Sequence, residues 1–287
     1  MKLSVIMVTM NRSERALRSL AAVTSQTMKP SGVIVIDSSV DNKLGKSANT
    51  LLKKAGIKLV YVHEKLNMTQ ARNAGIKRST GDIILFIDDD VVLHEDYVEK
   101  LMKFYNDYPD AGGACGHLCD GNKFLIDRFR KFPKIPSMDE PFTIIGLHGS
   151  NMSFRKAVFG DYMFEEKLRG YYADDDEFSA RVSRKYKLYL VPYMTCIHEH
   201  TSTGGARLDE YTNFNTMIFN RNFVFRQKKP SLFNIFHYLF SDAIMMMRIA
   251  LFFKGSRGRA FKGMLRGYKR ILRSSLRGDF EQELQRL

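Results

Sequence analysis

Three consecutive carboxylates, Asp88, Asp89 and Asp90, directly follow the apolar run DIILFI. A strand end that exposes three acids is unfavourable unless a cation neutralises them. Oxygen ligands at this spacing suit Mg2+ or Mn2+. Such an ion binds a substrate diphosphate and takes up charge as that group leaves. Side chains alternate along a strand, so Asp88 and Asp90 are expected on one side and Asp89 on the other. The ordinary alternative is a solvated turn ahead of a helix near Glu95. A second acidic run, Asp174-Asp175-Asp176-Glu177, opens a predicted helix. There it either caps the helix and answers its dipole or supplies a general base. His198 and His200 lie two apart in CIHEHTSTGGAR. His198 is the candidate third metal ligand, and an imidazole suits Mn2+ better than Mg2+. Gly204, Gly205 and Arg207, with Thr201, Ser202 and Thr203, make a candidate flap over a diphosphate. A zinc site is not expected, because Cys196 is the only soft ligand near these histidines.

Elements with a clear periodicity must hold these groups. Residues 3–9, 33–37, 58–62 and 82–87 are Val/Ile-rich runs that read as strands apolar on both faces. They alternate with helical spacing over 12–26, 48–55 and 67–79, with 38–47 as a polar loop. That alternation predicts an α/β fold with a parallel, doubly wound sheet and right-handed crossovers. Ligands bind such sheets beyond the carboxyl ends of the strands, where the strand order reverses. Three of those ends are polar here: Thr9 with Asn11 and Arg12, Asp37 with Ser39, and the aspartate run. Further on, the pattern predicts a helix over 95–107, a strand over 112–118 and a long loop over 120–142. A strand, turn and strand follow over 143–156, then a helix over 174–185, a strand over 187–191, and helices beyond 209.

The chain has 287 residues, 44% of them hydrophobic, enough for one large domain with a short appendage. Three cysteines are too few for a disulfide framework and read as reduced thiols. The start, MKLSVIMVTMNR, lacks the pattern of a signal peptide and reads as a buried strand, so a cytoplasmic protein is expected. The formal net charge is +14, and no acid lies between Asp242 and Asp279. Ten Lys and Arg residues from Arg248 to Arg277 fill that interval. Such a tail seeks an anionic surface.

The spaced motifs VIMVTMNR, VIVIDSS, NMTQARNAGI, FIDDD, HGSNMSFRK and YYADDDEFSARV together resemble the family 2 glycosyltransferases, over roughly residues 1–200. The resemblance implies a GT-A fold: a Rossmann-like, mostly parallel sheet with helices on both faces. It implies a nucleotide-sugar donor, UDP-linked by preference, a divalent cation (Mn2+ or Mg2+), and an inverting transfer to a glycan or lipid-linked acceptor. Thr9, Asn11 and Arg12 then lie by the nucleotide, and Asp37 pairs with a base N–H. Arg72 lines the base and diphosphate pocket, while Asn73 holds local structure. Asp88 touches ribose or metal, Asp90 is the metal ligand, and Asp89 and Arg207 belong with the donor. Gly149 and Asn151 lie under the donor sugar and acceptor: Gly149 allows close backbone approach, and Asn151 can bond a sugar hydroxyl. In the second cluster Asp174 stands where the family has Glu, and Asp175 matches the general base. A single base opposite the leaving diphosphate gives in-line displacement and inversion. The implied division is a donor half (1–118), an acceptor and catalytic half (119–208) and a helical extension (209–287).

Residues 232–253 approach membrane-spanning length, but His237, Asp242 and Arg248 interrupt them. They read as a helix buried or lying in an interface. Residues 258–277 carry Phe261, Met264, Leu265, Tyr268, Ile271, Leu272 and Leu276 at helical spacing among basic residues. That predicts a basic amphipathic helix, either lying on an anionic membrane surface or packing its apolar stripe on the core with a solvated basic face; the first reading makes a peripheral protein at the inner face, attached through 232–277. Two rival readings follow from the same features. A nucleotidyltransferase would need a Gly-rich loop after the first strand, where MNRSERALRS has none. A non-catalytic nucleic-acid binder would use the basic tail, but no nucleic-acid motif accompanies it, and no nucleic acid is expected.

Overall fold

The computed structural model describes residues 1–120, 123–124, 139–168, 174–199, 210–227, 244, 247 and 257–277. Two compact units result, Met1–Phe164 with Asp175–Gly205, and Glu165–Asp174 with Ala206–Leu287.

The first unit is built on one sheet. Strands β1 (Leu3–Thr9), β2 (Gly32–Asp37), β3 (Lys58–His63) and β4 (Ile83–Asp88) are parallel, in the order β3-β2-β1-β4. The sheet continues through β9 (Met152–Arg155), β6 (Ala111–Asp120), β10 (Lys187–His198) and β5 (Val91–Leu93). β9 runs antiparallel to both its neighbours, β6 and β10 are parallel, and β5 is antiparallel to β10. β7 (Lys123–Phe124) pairs with β6, and β8 (Phe142–Ile144) with β10.

Alternation sorts each strand between two cores. Leu3, Val5 and Met7 of β1, with Ile83, Leu85 and Ile87 of β4, face α1 (Ser13–Thr24), α2 (Lys43–Lys54) and α4 (Tyr97–Asp107). Ile6, Ile84 and Phe86 face the opposite side, with α3 (Met68–Arg78), α5 (Val158–Asp161) and α6 (Asp174–Val182). A strand buried on both faces has no polar side, which is why these runs are mostly apolar, with Ser4 the buried exception inside β1.

Three expectations need adjusting. Helix α2 begins at Lys43, inside the predicted polar loop, because only Leu44, Ala48 and Leu52 are buried. β10 runs past Pro192 to His198, where 187–191 was expected. Its ladder with β6 shifts between Val191 and Thr195, so the missing proline N–H breaks no regular pairing. α6 stops at Val182 instead of 185.

The second unit contains α7 (Glu210–Gln227) and α8 (Arg257–Arg277). Phe214, Ile218, Phe219 and Phe223 pack against Ala260, Met264 and Ile271, with Leu168 beside them. Gly263 lets α8 approach closely, since a Cβ there would collide with the Tyr211 carbonyl. No helix among the described residues is long and apolar enough to cross a membrane. The 232–253 segment lies outside the described residues, apart from Ile244 and Met247.

Candidate active site

The parallel register brings the polar strand ends together. Thr9 pairs with Asp37 across β1 and β2, and Val8 with Asp88 across β1 and β4. The chain turns at Asp89-Asp90 before β5. Asp88 and Asp90 therefore meet through a turn, not through strand alternation. His198 closes the set from the end of β10: its Nε2 lies 3.0 Å from Asp90 Oδ1. Ligand atoms of Asp88, Asp90 and His198 all lie within 4.8 Å of one another. Two carboxylate oxygens and one imidazole nitrogen at that spacing fit Mn2+ or Mg2+.

Asp89 points elsewhere and is buried. Its Oδ2 accepts from Thr9 Oγ1 at 2.7 Å, and its Oδ1 from Arg12 Nη1 at 2.9 Å. Arg12 Nη1 also reaches Asp90 Oδ2 at 3.3 Å. Burial pushes the Asp89 carboxyl up to about 6, against the pull of Thr9 and Arg12. Burial likewise raises Asp88; Asp90 adds to the rise, while Arg72 and His198 oppose it. Carboxyls made reluctant to ionise by burial and by each other are stabilised as anions by an added cation.

A capping box between Asn67 and Gln70 starts α3 and orients its buried face. Arg72 projects from that face, 5% exposed. Its Nη2 lies 3.9 Å from Asp88 Oδ1 and 3.5 Å from the Gly149 carbonyl, and its guanidinium covers the Phe164 ring at 5.4 Å. Asn73 joins α3 to the Phe164 backbone through both amide atoms, the local structural role expected of it.

The turn His148–Asn151 is tied to the end of β4 by Asp88 N donating to the Ser150 carbonyl. Gly149 N donates to Asp175 Oδ2 at 2.8 Å, while Asp176 N donates to Asp175 Oδ1 at 2.9 Å. A Cβ on Gly149 would lie 2.8 Å from Asp175 Oδ2 and 3.1 Å from Arg72 Nη2. Gly149 thus keeps the space where Arg72 and Asp175 converge. Asp174 starts α6 and is buried; Glu177 pairs with Arg181 instead of facing the cluster.

Other predicted residues are held by bonds within the chain. Asn151 is fully buried, and its amide donates to the Gly116 carbonyl and to Cys196 Sγ at 3.1 and 3.0 Å. Its Nδ2 is thus turned to the sheet interior, while its Oδ1 is buried with no hydrogen-bond partner among the described residues. Asp37 is buried, its oxygens taken by Tyr61 Oη at 2.6 Å and Ser39 N at 2.9 Å. Asn11 adopts φ 56°, a conformation asparagine tolerates better than most residues. Its Oδ1 accepts from Val40 N, and its N donates to Ser39 Oγ, stapling the ends of β1 and β2. A 540 Å³ cleft lies beside it, lined by Arg12, Arg15, Asp41 and Lys43. Arg207 and His200 lie outside the described residues.

Two groups were not foreseen. His148 sets its ring 6.4 Å from that of His198; its only sequence signal is adjacency to Gly149. Glu199 bonds Arg15 and Arg18 of α1, and its N donates to the Asp90 carbonyl, anchoring the end of β10. Adjacency to His198 could have flagged it.

Comparison with solved structures matches this architecture. The chain superposes on S. aureus TarS 1–349 with a TM-score of 0.60, at 14% identity, covering 100% of this chain and 90% of that one. It matches GalNAc-T7 bound to UDP, GalNAc and Mn2+ with a TM-score of 0.56, at 16% identity, over 72% of this chain and 44% of that one. The fold is therefore GT-A. Among curated proteins, the uncharacterized glycosyltransferase YwdF of Bacillus subtilis is 22% identical over 74% of this chain and 81% of its own length. The poly(ribitol-phosphate) beta-N-acetylglucosaminyltransferase TarP of Staphylococcus aureus is 36% identical, over 36% of this chain and 32% of its own. Residues 4–163 match Glycosyl transferase family 2, a stretch holding β1 from Ser4 on, the aspartate turn, Arg72 and Gly149. The chain belongs to the family 2 glycosyltransferases, and it is an enzyme of that class.

Proposed function

We propose that this glycosyltransferase moves a sugar from a nucleoside-diphosphate donor to a hydroxyl acceptor, with inversion and with the help of a divalent cation. The convergence of Asp88, Asp90 and His198 within 4.8 Å, at the carboxyl edge of the sheet, carries the reading. When bound there, Mn2+ or Mg2+ would neutralise charge on the departing diphosphate. Arg72, buried beside Asp88 and Gly149, adds a fixed positive charge to the same corner. Asp175, oriented by Gly149 N and Asp176 N, takes the acceptor proton as the acceptor oxygen attacks the anomeric carbon. The bond from that carbon to the diphosphate oxygen breaks on the opposite side, so configuration inverts. Asp37 and the β1 end, with Asn11 and Arg12, serve the nucleotide.

UDP is the expected nucleotide, in keeping with the UDP and Mn2+ of the GalNAc-T7 structure. A surface glycan or lipid-linked saccharide is the expected acceptor. TarP is named for a poly(ribitol-phosphate) acceptor, and a Haloferax volcanii relative, 24% identical over 55% of this chain, is a glucosyl-dolichyl phosphate glucuronosyltransferase.

A thermal-shift panel of nucleotide-sugars with and without Mn2+ tests this. One nucleoside-diphosphate sugar should stabilise the protein only with metal, by about 2.7 kcal/mol at a hundredfold excess over Kd. Stabilisation by nucleoside triphosphates, with no response to any nucleotide-sugar, would place the chemistry with nucleotidyl transfer instead.

A further inference from the structure

The helix α8 carries more apolar surface than its packing uses. Ala260, Met264 and Ile271 face α7, with Gly263 and Gly267 giving the close approach. At about 100° per residue, Phe261, Leu265, Leu272 and Leu276 fall on a different arc, about 60° wide. They are 39, 49, 62 and 80% exposed. Along the helix this stripe runs about 22 Å. Next to it lies a basic arc with Lys262, Lys269 and Arg273, all exposed. Arg266 leans back on Tyr211, its Nη1 donating to the ring hydroxyl at 2.7 Å. The helix holds eight basic residues and no acid.

We propose that this outward face of α8 docks on an anionic lipid bilayer. Phe261, Leu265, Leu272 and Leu276 enter the boundary between headgroups and acyl chains, and Lys262, Lys269 and Arg273 meet lipid phosphates beside them. A helix with an apolar stripe flanked by Lys and Arg lies in the plane of a membrane interface, where both surfaces are satisfied together. Electrostatics disfavours a second copy as the occupant, since pairing two such faces would set Lys262, Lys269 and Arg273 of one copy against those of the other. Nucleic acid would answer the charge but offers no apolar phase for a 22 Å row of side chains, whereas a bilayer supplies both. Attachment here would hold the enzyme where a lipid-linked acceptor diffuses.

Vesicle co-sedimentation of the full chain tests the surface. The protein should bind vesicles holding about one-third phosphatidylglycerol at least tenfold more tightly than pure phosphatidylcholine. Binding should fall at least tenfold as salt rises from about 0.1 to about 0.5 M, which shortens the screening length from about 10 to about 4 Å. A variant with Phe261→Ser, Leu265→Ser, Leu272→Ser and Leu276→Ser should lose at least tenfold while its melting temperature and Mn2+-dependent donor binding stay put. Separately, Lys262→Ser with Lys269→Ser and Arg273→Ser should flatten the salt dependence and leave the apolar row intact. Wild-type retention by the apolar variant overturns the proposal, as does equal binding to neutral vesicles. A wild-type dimer that the apolar variant dissolves, with neither form sedimenting with vesicles, overturns it in favour of self-association.

Discussion

The two acidic runs have nearly the same composition and reach opposite arrangements. Asp88, Asp89 and Asp90 sit where a buried strand runs out, and the turn after it splits them by direction. Asp88 and Asp90 face His198, while Asp89 turns back to Thr9 and Arg12. Asp175, Asp176 and Glu177 sit in a helical first turn, where residues one apart point about 100° from each other. Asp175 reaches the Gly149 turn, Asp176 is exposed, and Glu177 is buried against Arg181. Convergence suits a cation, which needs several ligands at one point. Divergence suits a proton acceptor, which must act alone. In each run one acid does structural work, Asp89 in the first and Glu177 in the second.

The largest effect should follow from breaking the convergent cluster. Asp90→Asn should abolish Mn2+-dependent stabilisation and lower transfer about 10³-fold or more, the equivalent of roughly 4 kcal/mol. Transfer is read with the donor found by thermal shift. Asp175→Asn should lower turnover about 10²- to 10⁴-fold, the range for losing a general base. It should leave donor and Mn2+ affinity within about twofold, since Asp175 holds neither. If Asp175→Asn loses the metal response while Asp90→Asn keeps it, the two clusters have been assigned the wrong way round.

Much of this was legible in the chain because it rests on short-range pattern. The four parallel strands are apolar on both faces, and their polar ends line up once the sheet is parallel, so Thr9, Asp37 and Asp88 emerge together. His198 was legible as a ligand type beside the first cluster. What escaped depends on direction or on long-range pairing. Asp89 bonds Thr9 across 80 residues of sequence, and strand alternation alone gives only its opposite facing. β5 has three residues, too few to show a period. The continuation of β10 beyond Pro192 required knowing that the ladder shifts there. Asn151 stands in a motif that resembles a sugar site, yet its side chain turns to Gly116 and Cys196; sequence supplies the residue and not its rotamer.

A subtler break in the divergent cluster is steric. Gly149→Ala places a methyl 2.8 Å from Asp175 Oδ2 and 3.1 Å from Arg72 Nη2, inside contact with both. Asp175 should be pushed off its Gly149 N bond by a few tenths of an ångström or more. Turnover should fall about 10- to 100-fold, because displacement of a base costs steeply. The metal response should persist, since Asp88, Asp90 and His198 are untouched. An unchanged turnover in this variant would mean that Asp175 does not act from the position it holds here.

The smallest catalytic effect should come from the acid that shares the second run but not its task. Glu177 is 3% exposed at its side chain and receives Arg181 Nη2 at 2.8 Å, while the same guanidinium group donates to the Met163 carbonyl. That pair ties α6 to the segment after α5. Glu177→Gln keeps the shape but removes the charge that Arg181 answers, leaving a buried hydrogen bond with one ionic partner. The loss should be about 2 kcal/mol, a fall in melting temperature of roughly 4–8 °C, with turnover and donor affinity unchanged below the transition. Neighbouring acids would then separate cleanly, Asp175 by rate without stability and Glu177 by stability without rate. A Glu177→Gln variant that melts as the wild type does but transfers slowly would move the base two residues along the helix and undo the division of labour drawn for α6.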